Sequence, residues 1–330
     1  MPRIVRFHEV GQADVLKLEE LPLVEPQEGE LRIKVEAIGL NRAEVMFRNG
    51  QYLESPELPS KLGYEAAGIV DAVGPGVEGF QIGDRVSSIP AFSMSQYGVY
   101  GEAAILPVSA VAHYPDNLSA AEGAAIWMQY LTAYGALIHY GKMKKDDVVL
   151  VTAASSSVGL AAIQLAKATG ALAIATTRGA DKKQFILDAG ADHVIVTDEE
   201  NLVERVMEIT SGAGANLIFD PVAGPGLAEL AEAAAPGASI YEYGALSPEP
   251  TPFPLFPALA KALTVRGYTL FELTQSAELC AEAAEYVFNK LQSGDLKPII
   301  DERRFSLDEI ADAQAYMETN QQKGKIVVTV

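Results

Sequence analysis

Six short apolar segments between residues 148 and 270 constrain this chain more than any other feature. They are VVLVTA (148–153), LAIATT (172–177), HVIVT (193–197), NLIFD (216–220), ASIYEY (238–243) and LTVRGYTL (263–270). Segments this short that are apolar almost throughout cannot keep one face in water, so they read as strands covered on both sides. The intervening stretches carry helical patterns. VGLAAIQLAKATG closes at Gly170 and DKKQFILDAG closes at Gly190, each glycine suited to a left-handed C-terminal cap. Strands alternating with helices, joined by right-handed crossovers, give an α/β fold with a doubly wound parallel sheet.

The rest of the chain follows a different rhythm. LRIKVEAIGL (31–40) alternates apolar and polar residues, and YEAAGIVDAVGPGVEGFQIGDRV (64–86) is broken by Gly74, Pro75, Gly76, Gly79 and Gly83. That is a β-rich sandwich or barrel with tight turns. NLSAAEGAAIWMQYLTAYGALI (117–138) reads as a helix, with Asn117 or Ser119 as N-cap and Glu122 behind it. After residue 270 a long helix, the segment KPIIDERRF, a helix from Leu307 and a last strand KIVVTV do not extend the alternation. They are expected to return to the N-terminal part. At 330 residues two domains are expected: residues 1–122 with 271–330, and residues 123–270.

The first strand of the alternation runs into VTAASSSVG (151–159). In a Rossmann domain this turn carries glycines and sets a dinucleotide pyrophosphate on the helix N-terminus. Here Gly159 remains for helix–strand packing and Val158 opens the helix, while Ser155, Ser156 and Ser157 fill the loop. Serine is small and its hydroxyl can donate to a phosphate oxygen; the alternative is that the serines only cap the helix. The second strand ends Thr176-Thr177-Arg178-Gly179, with Lys182 one turn later. An acidic residue there would hold a ribose 2′-hydroxyl, whereas Arg178 and Lys182 suit a 2′-phosphate. The expected cofactor is therefore NADPH, with Asp181 leaving room for NAD.

The chain resembles the medium-chain dehydrogenase/reductase superfamily, in its zinc-free quinone oxidoreductase and enoyl reductase branch. The resemblance rests on GLNRAEVMFRNGQY (39–52), LGYEAAGIVDAVGPGV (62–77), GDRV (83–86), LTAYGAL (131–137), the 151–159 loop, AGADHVI (189–195) and KGKIVV (323–328). It implies a GroES-like catalytic domain plus a Rossmann cofactor domain. Zinc-dependent members carry cysteine where this chain has Asn41, and histidine where it has Tyr64 before Glu65. They also carry a four-cysteine structural zinc lobe. This chain has one cysteine, and its histidines (His8, His113, His139 and His193) are scattered; no metal is expected.

By the same resemblance Asn41 and Tyr64 line the active site. Tyr52 falls where enoyl reductases of this branch keep a catalytic tyrosine, and is the expected proton donor. Thr132, Asp220, Pro221, Val222, Gly244, Ala245, Leu246, Tyr268, Thr269, Leu270 and the segment Lys323–Lys325, with Lys325 foremost, are implied as cofactor contacts. Strand edges of the cofactor domain often pair between subunits in this family, so GYTL (267–270) is expected to form a homodimer edge.

The formal net charge of −19 argues against a nucleic-acid or anionic-membrane partner. No run approaches the ~20 apolar residues of a membrane span. MPRIVRFHEV reads as a strand entry, not a signal peptide, and one cysteine suits the cytoplasm. The loops AFSMSQYGVYGEAA (91–104) and SPEPTPFPLFP (247–257), rich in aromatics and prolines, suit a small apolar quinone or enone substrate. The expected activity is hydride transfer from NADPH to a quinone or activated alkene. The alternatives are an enoyl-thioester or enone reductase using Tyr52, or an idle NADPH-binding protein.

Overall fold

A computed structural model describes residues Met1–Val330. The chain divides into two units. The first comprises Met1–Met128, Thr274–Gln292 and Pro298–Val330; the second comprises Gln129–Leu273 and Ser293–Lys297.

In the second unit the six apolar segments become one parallel sheet. Its spatial order is His193–Val196, Leu172–Thr177, Val148–Val151, Ala215–Asp220, Ala234–Glu242 and Thr264–Gly267. The first strand in sequence lies in the middle, which is the Rossmann order. Leu150, Ile174, Ile195, Ile218 and Ile240 are buried, with Leu202, Val206, Leu227 and Leu230 packed over them. The helix Ser157–Thr169 buries Leu160, Ala161, Ala162, Ile163, Leu165 and Ala166 against this sheet, and ends at Gly170 with φ +81°. A Cβ at Gly159 would lie 2.7 Å from the Ala154 Cα, so this glycine is what lets the helix start so close to the strand end.

The first unit is built on an antiparallel sheet around Glu30–Gly39, which pairs with Glu65–Val73 on one side and with Ala103–Pro107 and Val327–Thr329 on the other. The last strand of the chain thus closes onto residues 37–39. At Gly39 a Cβ would clash with the Ala124 carbonyl and meet the Lys325 Cε at 2.8 Å. Only glycine leaves room for both neighbours to reach the strand end.

The stretch 117–138 is not one helix. It folds as Ala120–Gly123, Trp127–Ala133 and a π-helical turn Tyr134–Tyr140. Ser119 and Glu122 cap the first turn as the sequence suggests. The second helix starts anew because the Glu65 carboxylate accepts the Met128 N–H at 2.9 Å. The chain passes from one unit to the other at this point.

At the C-terminal ends of two central strands of the second unit, register sets Asp220 beside Glu242. Asp220 accepts from the Thr152 hydroxyl and, at 2.6 Å, from Ala223 N–H. Both Glu242 oxygens are buried and meet no N–H or O–H donor. Burial, then repulsion from Asp220, pushes the Glu242 carboxyl up to about 9. At neutral pH Glu242 is therefore a neutral acid, with its proton available to Asp220. The folded chain keeps a proton that the unfolded chain, with its ordinary carboxyl near 4.5, has released. Stability from this group is lost as pH rises between those two values. Glu242→Gln removes the titration and keeps a donor toward Asp220. Thermal unfolding should show the variant gaining more against the parent at pH 8 than at pH 5; equal shifts at both would contradict this assignment.

Candidate functional site

In the first unit, the strand Glu30–Gly39 leads directly into the helix Arg42–Arg48, with Asn41 at its N-cap. The Asn41-x-x-Glu44 spacing lets the Glu44 side chain fold back, and its Oε2 accepts Asn41 N–H at 2.6 Å. The other Glu44 oxygen accepts Tyr64 N–H at 3.1 Å and Asn41 Nδ2 at 3.2 Å. The same amide nitrogen lies 3.1 Å from Glu65 Oε2. The Lys325 ammonium closes the group, donating to Asn41 Oδ1 at 2.6 Å and pairing with the Glu65 carboxylate. Lys325 and Glu65 are each 1% exposed and Glu44 is 0% exposed.

One ammonium therefore pairs with the buried Glu65 carboxylate, and Asn41 links both to the buried Glu44 carboxyl group. Burial pushes the Glu44 carboxyl up to about 7, against the pull of Lys325 and the hydrogen bonds from Asn41 and Tyr64. Asn41 has its oxygen on Lys325 and its nitrogen on the two carboxyl groups. Lys325, expected among the cofactor contacts, directs its ammonium into this cluster.

Tyr64 is 1% exposed and Tyr52 is half-buried. Their rings lie 6.4 Å apart, edge on, and their hydroxyls share a hydrogen bond. Phe92 packs on Tyr64 at 5.6 Å. Burial pushes both phenols well above the usual tyrosine value, so both remain protonated donors. The sequence thus brings Tyr52 and Tyr64 to one place, next to the cluster that holds Asn41.

The second unit collects the other expected residues in three places. The helix begins at Ser157, one residue before Val158. Ser156 has φ −71° and its Oγ accepts Gly159 N–H at 3.1 Å. The positive φ of the turn falls on Ala153, at +45°. Ser155 Oγ accepts from the Lys182 ammonium at 3.3 Å, which draws the two halves of the expected phosphate site together. Thr177 is buried with its hydroxyl directed to the Gly179 carbonyl at 3.3 Å, and Arg178 is exposed at the strand tip.

The turns after the fourth and fifth strands are tied to each other. Leu246 N–H donates to the Pro221 carbonyl at 3.0 Å and Ser247 N–H to the Val222 carbonyl at 2.9 Å. Gly244, Ala245 and Leu246 are exposed and Val222 is half-buried. Elsewhere in the unit Thr132 is buried, and the Tyr268 hydroxyl donates to the carbonyl of its neighbour Leu131 at 3.5 Å.

His8 pairs with Glu19, His113 pairs with Asp84, and His139 packs on Tyr140. No three His, Cys, Asp or Glu side chains converge as a metal-binding group. The sequence reading missed Glu44 and the meeting of Lys325 with Glu65. The Asn41-x-x-Glu44 capping spacing signals the first. Nothing local signals the second, since 260 positions separate the partners.

Residues 157–288 match the family model of zinc-binding dehydrogenases, and residues 27–116 match the alcohol dehydrogenase GroES-like domain. The quinone oxidoreductase of Salmonella typhimurium is 33% identical over 334 residues, covering 97% of each chain. The solved structure of Escherichia coli quinone oxidoreductase complexed with NADPH is similar with a TM-score of 0.91, at 32% identity over 99% of this chain and 100% of that one. A structure of an NAD-dependent alcohol dehydrogenase gives 0.92, at 31% identity over 99% of both. A GroES-like unit, a Rossmann sheet in 3-2-1-4-5-6 order and sequence identity along the whole chain lead to one assignment: the chain belongs to the medium-chain dehydrogenase/reductase superfamily, in its quinone oxidoreductase branch.

Proposed function

We propose that this chain is an NADPH-dependent oxidoreductase that reduces a small apolar quinone or activated alkene without zinc. The observation that carries the reading is the Lys325 ammonium on Asn41 and Glu65. A metal at this place would need deprotonated ligands converging on it. Here the buried Glu65 carboxylate pairs with an ammonium, a neutral amide stands at position 41, and a phenol stands at 64. The proposed division of labour gives catalysis to residues 1–122 with 271–330 and the cofactor to residues 123–270.

The second unit's residues fit NADPH. Ser156 caps the helix through its oxygen, which leaves its O–H to donate to a phosphate oxygen. Ser155, Ser157, Val158 and Gly159 surround the same helix start, where backbone N–H groups favour an anion. Lys182 reaches this loop through Ser155, and Arg178 stands exposed beside Thr177, with the Asp181 carboxylate close to Gly179. Two cations so placed favour a 2′-phosphate over a free hydroxyl. Thr132, Asp220, Val222, Gly244, Ala245, Leu246 and Tyr268 are proposed as further contacts. When bound, the cofactor supplies hydride; the protein's residues supply orientation and proton donors.

Tyr52 and Tyr64 favour alkene or enone reduction as a second form of the same reading. Two linked phenols held neutral by burial can donate a hydrogen bond to a developing oxyanion, or a proton. A quinone needs little of this. A catalytically idle NADPH-binding protein remains the rival, and an assay of NADPH absorbance with quinones, enones and enoyl thioesters separates them. Turnover with any acceptor supports an enzyme; silence across the panel supports the rival.

A homodimer fits the second unit. The edge strand is Thr264–Gly267 and not the expected GYTL (267–270), whose Tyr268 and Leu270 turn into the core; one side of its backbone is unpaired, and Phe253, Leu255, Phe256 and Leu259 are exposed nearby in sequence. No helix is long and apolar enough to cross a membrane. The net charge of −19 argues against a nucleic-acid partner, and the proposed location is the cytoplasm.

Two outcomes follow. NADPH should bind more tightly than NADH in separate titrations, and Arg178→Ala or Lys182→Ala should each weaken NADPH by about tenfold while sparing NADH. Equal affinities for the two cofactors would contradict the reading. Tyr52→Phe should lower alkene reduction by ~10²-fold or more and leave quinone reduction within a few-fold. Undiminished alkene turnover would remove Tyr52 from proton donation.

A further inference from the structure

Tyr52 sits on the segment 51–59, which has little apolar anchorage. Leu53 and Leu58 are 75% and 47% exposed. Polar contacts therefore decide where the phenol lies. The Glu54 carboxylate accepts from Ser93 Oγ at 2.5 Å, Met94 N–H at 3.1 Å and Ser95 N–H at 3.3 Å. Glu57 N–H adds a bond to Ser95 Oγ at 3.1 Å. The residue before this group, Phe92, packs on Tyr64.

We propose that Glu54 is a positioning residue that clasps the Tyr52 segment to Ser93–Ser95, fixing the Tyr52 hydroxyl against that of Tyr64. This rests on the proposed role of Tyr52. The clasp is not needed to start the short helix Met94–Tyr97, because Ser93 already caps it, accepting Gln96 N–H at 3.3 Å. Three donors to one carboxylate are a stronger restraint than neutral loop contacts. They act one residue beyond Tyr52's neighbour, on the same segment. Residues 92–95 thus hold the two tyrosines from a single turn of chain, Tyr64 through Phe92 and the Tyr52 segment through Glu54.

The test pairs Glu54→Ala and Glu54→Gln with Tyr52→Phe, read by alkene reduction and by spectroscopic titration of tyrosinate. In Glu54→Ala, kcat for the alkene should fall by about tenfold or more, since small misplacements cost up to ~10²-fold. KM for NADPH should stay constant, and Glu54→Gln, which keeps an acceptor, should recover part of the loss. Combined with Tyr52→Phe, Glu54→Ala should cost nothing further. The titration is independent of turnover. Released from its buried place, Tyr52 should ionise near the ordinary value of about 10. Glu54→Ala should then show one more tyrosinate than the parent, and the double variant should not.

If Tyr52→Phe leaves alkene reduction intact, the donor role fails. The extra tyrosinate then still supports the clasp, and its absence overturns it. If Tyr52→Phe is slow but Glu54→Ala matches the parent in kcat and titration, the clasp is overturned. Should Glu54→Ala not fold, Ser93→Ala, which removes one donor, serves in its place under the same readings.

Discussion

The buried ammonium of Lys325 is the constraint on which the first unit depends. A charge 1% exposed cannot be left uncompensated, and removing one member of such a pair typically costs about 3–5 kcal/mol. Its partners come from distant parts of the chain. Asn41 caps the helix that follows the central strand, Glu65 begins the next strand, and Lys325 leads into the last one. Glu65 also receives the Met128 N–H in the first turn of a new helix, and Glu44 ties Asn41 to Tyr64. Gly39 is small because Ala124 and Lys325 crowd the same point. This cluster thereby ties together the closing strand, the starts of two helices and the backbone of Tyr64.

The same arrangement shapes the proposed chemistry. With the amide of Asn41 and the carboxylate of Glu65 bound to an ammonium, the groups proposed to meet a substrate are a pair of neutral phenols. Phenols raised well above their ordinary range donate hydrogen bonds readily and lose protons only when a strong base or a developing anion demands it. An acceptor whose reduction creates a basic enolate matches that property. In the second unit the proposed recognition is by backbone N–H groups, serine hydroxyls and two cations.

Much of this was legible in the sequence. Parallel strands buried on both faces announce themselves by continuous apolar runs, so the six segments and their alternation follow directly, while their spatial order does not. LTVRGYTL extends beyond the strand, which spans only Thr264–Gly267, because Tyr268 turns inward onto Leu131. The helix pattern at 117–138 misled because its apolar spacing is helical throughout. The break comes from a carboxylate supplied by residue 65. In the 151–159 loop the serines drew attention, yet the positive φ sits on Ala153, which no residue type there advertises. Contacts such as Lys325 with Glu65, Asp220 with Glu242 and Glu54 with Ser93 depend on strand register and loop packing. Local sequence carries no sign of them.

The proposal that an ammonium stands in a metal's place is tested most directly by measuring metal content and NADPH-dependent turnover on the same sample, before and after exhaustive dialysis against a chelator. The account predicts far less than one zinc per chain and unchanged turnover in both states. Stoichiometric zinc, with activity lost on chelation and restored by zinc, would contradict it.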